Sequence, residues 1–126
     1  MADLPRRALE VQVVSQEGNL VRMQAAGRLV HGTLAESPDP IGTLLGKDAF
    51  SRTVLLSLAQ VTFIDSSGIG WLLGCRRRFR EGGGKFVIHS VPPVVLDIMR
   101  VMKLEHVLRL AEDEDAALAM VQGGSG

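Results

Sequence analysis

The chain has no tyrosine, a single tryptophan and a single cysteine in 126 residues. Cys75 alone cannot close an internal disulfide, so packing must hold the fold, and a reducing cytoplasm is the expected setting. Net charge is also missing: 14 Lys+Arg balance 14 Asp+Glu, which argues against nucleic-acid binding through a broad basic surface. The three histidines, His31, His89 and His106, are scattered and show no ligand spacing with the cysteine, so no metal is expected. No apolar run approaches the ~20 residues of a membrane helix, which speaks against membrane insertion. The first fifteen residues, MADLPRRALEVQVVS, lack the apolar core of a signal peptide. No internal repeat is evident. What is present is ordinary for a soluble globular protein, with 46% hydrophobic and 22% charged residues. The length suits one domain, expected over 1–122, with 123–126 (GGSG) as a flexible tail.

Apolar patterning predicts the elements. LEVQVV (9–14) and LVRMQAAG (20–27) alternate, and Gly18-Asn19 between them suits a turn, which gives an antiparallel hairpin. Pro38, Pro40, Gly42 and Gly46 break any periodicity over 31–48, so that segment reads as a loop with at most a short helix near 41–45. TVLLSL (53–58) and KFVIH (85–89) are continuously apolar, as strands buried on both faces are. Between them Ile69, Leu72, Leu73 and Phe79 mark one face of a helix that Gly82-Gly83-Gly84 ends. Arg76, Arg77, Arg78 and Arg80 crowd its last turns and are expected to be a solvated helix end that complements the dipole. Cys75 falls at the margin of the apolar face, and His89, ending its strand, is expected to be packed.

Pro92-Pro93 suit the start of a second helix, with Val95, Ile98, Met99 and Met102 inward. VLRL (107–110) reads as a short strand. EDEDAALAMV (112–121) reads as a last helix, with acids in its first turn and Ala117, Leu118 and Val121 facing inward. The order predicts an α/β fold. Its single mixed sheet has about five strands, an antiparallel N-terminal hairpin followed by parallel strands, and about four helices cover it.

The stretch FIDSSGIG (63–70) needs explanation. Asp65, Ser66 and Ser67 before a helix are first of all capping residues, whose oxygens accept orphan N–H groups. Gly68 and Gly70 look like positions of close backbone approach. They make no dinucleotide fingerprint, which needs a longer glycine pattern, so no cofactor is expected. A serine hydrolase turn needs Gly-x-Ser-x-Gly. Here Ile64 and Asp65 precede the first serine, and no histidine base is evident, so the chain is not expected to be an enzyme.

Residues 61–118, VTFIDSSGIGWLLGCRRRFREGGGKFVIHSVPPVVLDIMRVMKLEHVLRLAEDEDAAL, resemble the STAS family of bacterial anti-sigma-factor antagonists. The likeness lies in the order of strand, Asp-Ser-Ser-Gly turn, helix, glycine break, strand, proline-started helix, strand and acidic-started helix. It implies phosphorylation at Ser66 by a kinase that is also the anti-sigma factor, reversal by a phosphatase, and no catalysis by the chain itself. It also implies partner contacts at Asp65, Ser67, Gly68, Ile69, Gly70 and Trp71, with Arg28 on the same rim. Helical angles place Trp71 about 130° from the centre of the apolar stripe, so it is expected to be exposed as a docking residue. The family's Gly-Glu-Leu-Asp after the second strand is here Gly27-Arg28-Leu29-Val30-His31, without either acid. That departure keeps open an unswitched scaffold subunit of a stress-sensing or lipid-transport complex.

Overall fold

The computed structural model describes residues 9–122. One five-stranded sheet, in the order β1-β2-β3-β4-β5, organises them. Strands β1 (Glu10–Glu17) and β2 (Leu20–Leu29) form the antiparallel hairpin across Gly18-Asn19. β3 (Thr53–Ile64), β4 (Lys85–His89) and β5 (Leu110–Ala111) then add in parallel. β3 runs six residues beyond the apolar TVLLSL core, and this extension pairs with the end of β2 through Leu29 and Ile64.

The strand period of two divides the apolar side chains between two cores. Val54, Leu56 and Leu58 of β3 join Val21, Met23 and Ala25 of β2 on one face. The two longest helices on that face are α3 (Ser66–Gly82), through Ile69, Leu72, Cys75 and Phe79, and α4 (Pro93–Val101), through Val95 and Met99. Leu55 and Val87 point the other way, against Ala117 and Val121 of α5 (Glu114–Gln122). α3 stops where Gly83 turns to φ 85°, and the Gly84 N–H donates back to the Phe79 carbonyl at 2.9 Å. This is the left-handed helix end that glycine permits.

Several expectations change. The 31–48 segment contains two helices, α1 (His31–Glu36) and α2 (Pro40–Leu45), followed by a 3₁₀ turn at Ala49–Ser51. Only the second helix was expected. Asp39 caps α2, accepting from Gly42 N–H at 3.1 Å, and Pro40 opens it. Leu34, Ile41 and Ala49 are the buried anchors that hold the segment to the core. The strand expected at 107–110 shrinks to Leu110–Ala111, because a 3₁₀ turn at Leu104–His106 directs Leu104 and Leu108 into the core instead. Met102 is 51% exposed, not buried. α4 ends at Val101, so the helical period that would have carried Met102 inward is broken, and Leu104 fills the core. Cys75 is buried outright, and burial pushes its thiol up to about 12. His89 is buried as expected, with Nδ1 2.8 Å from the Ser90 hydroxyl, and burial lowers its pKa.

Candidate functional site

The FIDSSGIG turn lies at the C-terminal ends of β2 and β3, where β3 passes directly into α3. Asp65 is the N-cap of α3. Its Oδ1 accepts from Ser67 N–H at 2.9 Å and from Gly68 N–H at 3.1 Å. Its Oδ2 accepts from the His31 N–H at 3.1 Å, the first residue of α1. Val30, which precedes α1, has no side-chain oxygen, so a carboxylate 34 residues away caps that helix in its place. One side chain therefore joins two helix N-termini.

The charge on Asp65 reflects this. Burial works to raise its pKa, but the N–H donors of Gly68, His31 and Ser67, with the nearby His31 side chain, outweigh burial and hold it below the ordinary 3.8. Thr33 completes the corner. Its Oγ1 accepts from Val30 N–H at 3.2 Å and lies 2.6 Å from the Arg28 carbonyl, to which it donates.

Ser66 is the first residue of α3 and is exposed. Its hydroxyl has no hydrogen-bond partner among the described residues. Ser67 is half-buried and serves the cap through its backbone. Gly68 is buried, and a Cβ built on it would stand 2.2 Å from the Leu29 carbonyl oxygen and 2.7 Å from Ile64 Cγ1. Only glycine lets α3 start this close to β2. Gly70 has open space around it, so the close approach expected there is absent.

Ile69 is buried in the core. Gly68 and Ile69 thus support the turn from beneath and present little surface to a partner. Trp71 is half-buried and packed on the main core, contrary to the expected free-standing ring. An indole on the flank of the apolar stripe is large enough to lie back over the core edge.

Arg28 is exposed on the neighbouring strand end, paired in register with Phe63, its guanidinium 5.6 Å from that ring centroid. The rim beside Ser66 thus carries Arg28, a 40% exposed Phe63 and His31. Phe63 and His31 escaped the sequence reading as site residues. The phenylalanine sat within the quoted motif without being singled out, and nothing local marked the histidine.

An anti-sigma factor antagonist from Mycobacterium paratuberculosis superposes with a TM-score of 0.75 at 19% identity, covering 96% of this chain and 99% of that one. An anti-sigma-factor antagonist (STAS) domain protein from Planctomyces limnophilus gives 0.71 at 24% identity, over 88% and 97%. SpoIIAA, a Bacillus cell fate determinant, in its phosphorylated form gives 0.61 at 23% identity, over 90% and 99%. At these identities the structures speak for the fold. Residues 6–117, most of the chain, also match the sequence model of the STAS domain, and the chain belongs to the STAS domain family.

Proposed function

We propose that this chain is an anti-sigma-factor antagonist, a cytoplasmic protein-binding domain that phosphorylation of Ser66 switches. A partner serine kinase, itself the anti-sigma factor, adds the phosphate, and a phosphatase removes it. The chain performs no catalysis in this reading. Its carrying observation is the state of the Ser66 hydroxyl: exposed, unpartnered among the described residues, and at the first position of a helix. A partner would meet it together with Asp65, Ser67, Gly70, the open edge of Trp71 and Arg28. One protein of the same fold, the SpoIIAA of Bacillus, exists in a phosphorylated form.

The physics of such a switch follows from the cap. A phosphoserine adds about −1.5 to −2 charges at neutral pH. In the free protein a helix N-terminus tolerates that charge. Asp65 already holds the Ser67 and Gly68 N–H groups, so the protein would not clasp the phosphate and it would remain in water. The fold should barely respond. In a complex the same charge would be desolvated next to the Asp65 carboxylate. Without a partner cation that costs on the order of 2–5 kcal/mol, a loss of affinity from about thirtyfold to several thousandfold.

The decisive measurement is partner affinity and melting temperature for the bare chain, the phosphorylated chain, Ser66→Ala and Ser66→Asp. Ser66→Ala should bind permanently, Ser66→Asp should bind weakly, and all four should melt within a few degrees. Equal affinity of bare and phosphorylated protein would sink the switch. One observation favours a second reading in that event. Arg28 and Val30 stand at the two positions where the family resemblance calls for acids, which suits a scaffold that binds its partner without a phosphate cycle.

A further inference from the structure

The arginine run of α3 does not act as one solvated helix end. Arg78 turns toward α2, pairing with Asp39 at 3.1 Å and lying 4.0 Å from the Phe50 ring centroid. Arg76 and Arg80, one turn apart, line a cavity of about 240 Å³ together with Lys85 at the start of β4 and Arg109 just before β5. Phe79 and Phe86, stacked at 4.9 Å, lie in its wall, and Val107 stands at its margin.

No acidic residue lines the cavity. No carboxylate among the described residues forms an ion pair with any of the four cations. Lys85 alone has a protein acceptor, the Val121 carbonyl at 3.2 Å. The dipole at the C-terminal end of α3 accounts for Arg80. It does not account for Arg109 or Lys85, which arrive from other elements. Arg76, Arg80 and Arg109 thus converge on one small cavity that has no carboxylate among its lining residues.

We infer that this cavity is a phosphate-binding site, formed by Arg76, Arg80 and Arg109 with Lys85 at its edge, at the end of the sheet opposite Ser66. Guanidinium groups match phosphate oxygens in bidentate fashion, and three of the four cations are arginines. The cavity is smaller than the ~300–1,000 Å³ of pockets for drug-sized ligands, so it takes the phosphate group and little else. Phe79 and Phe86 are 1% and 6% exposed, which leaves no aromatic face for a base to stack on. The phosphate can come from free inorganic phosphate or from the headgroup of an anionic lipid. Ten residues of α3, about 15 Å at 1.5 Å per residue, separate Ser66 from Arg76, the nearer of the two α3 arginines. The site is thus separate from the phosphorylation corner.

The test uses the full isotope-labelled chain, titrated with inorganic phosphate against chloride at constant ionic strength. Saturable amide shifts confined to Gly84, Lys85, Phe86 and the residues around Arg109 are expected. Arg76→Gln and Arg109→Gln should each weaken binding about tenfold or more. Arg78→Gln, from the same run but outside the cavity, should leave the affinity unchanged. In parallel, co-sedimentation is measured with phosphatidylcholine vesicles with and without phosphatidic acid. Binding that needs phosphatidic acid, and is lost in the two cavity variants, would assign the site to a headgroup; saturation by inorganic phosphate alone would assign it to the free anion. No saturable response to either source would overturn the assignment. So would a response that Arg76→Gln and Arg109→Gln leave intact, or one obtained only with a glutamate-rich peptide.

Discussion

Alanine at Gly68 and alanine at Gly70 should move stability in opposite directions, although the two positions are two residues apart on the same helix. In isolation either change favours the helix, since alanine exceeds glycine by about 0.8–1 kcal/mol in helix interiors. At Gly70 and at Gly74 a new Cβ meets nothing within 4 Å. The gain there should be about 0.5–1 kcal/mol. At Gly68 the Cβ would stand 2.2 Å from the Leu29 carbonyl oxygen, 2.7 Å from Ile64 Cγ1 and 2.9 Å from Leu29 Cβ, where ordinary contact begins at 3.4 Å. The nearest of these is backbone, held in the sheet by the β2–β3 pairing, and cannot swing aside. The start of α3 must retreat by about 1 Å, disturbing the Asp65 cap. Overpacking typically costs ~1–3 kcal/mol, and a clash with fixed backbone falls in the upper half of that range, about 2–3 kcal/mol. Set against the propensity gain, the net loss is about 1–2 kcal/mol. A chain of this length gains or loses about 4 °C per kcal/mol. Gly68→Ala should therefore melt about 4–8 °C lower and Gly70→Ala about 2–4 °C higher, by calorimetry or circular dichroism. A Gly68→Ala protein as stable as the parent would refute the close approach of α3 to β2, and with it the described geometry of the turn.

Asp65→Ala should lower stability at neutral pH by about 1–2 kcal/mol, the scale of a lost N-cap. The folded carboxylate has its pKa below the unfolded 3.8. Its contribution is therefore complete above the unfolded value and is lost as pH falls through the folded one. Urea titrations should show the gap between parent and variant constant above about pH 5 and shrinking below about pH 4. The Cys75 thiol, buried and raised to about 12, should react with an aromatic disulfide at pH 8 only as fast as the protein opens, and at once in denaturant. Amides of β3 residues 54–58 should exchange slowest. Those of Leu34, Thr43 and Gly46, bonded within the short helices α1 and α2, should fall between β3 and the exposed turns. Exchange at Leu34 as fast as in open chain would dissolve α1.

Much of the fold could be read because local pattern and tertiary role agree. Val54, Leu56 and Leu58 alternate with Leu55, and both faces of β3 are covered, so the continuous apolar run was enough to place a central strand. α3 begins at an aspartate with hydroxyl neighbours and ends at three glycines, signals that act within one turn of the chain. The failures occur where a distant group decides. HGTLAE has a glycine in its first turn and a valine before it, so its own sequence argues against a helix. It forms because Asp65 supplies the absent cap oxygen and Leu34 finds the core. Likewise VLRL has the composition of a strand, yet Leu108 satisfies its burial from beside a 3₁₀ turn, and only Leu110–Ala111 pair with β4.

The same division runs through the candidate site. Asp65 as a cap was readable because capping is a short-range act, whereas Ser66 was singled out from Ser67 only through the family resemblance. Which glycine was structural could not be read, since Gly68 and Gly70 are alike in sequence and differ only in what lies opposite them. The charge of the rim was readable as composition but not as geometry. Arg28 was visible as a basic residue where an acid was expected, whereas its seat over Phe63 depends on a register shift between β2 and β3 that precedes the pair. His31 enters for a stronger reason. Its backbone N–H and the turn that carries Ser66 share one carboxylate, so α1 cannot move away from Asp65 without breaking that hydrogen bond. The turn and α1 are therefore coupled through Asp65. Whatever binds at Ser66 acts against a surface that the helix start at His31 helps to hold, and the long-range hydrogen bond that makes it so leaves no mark in either local sequence.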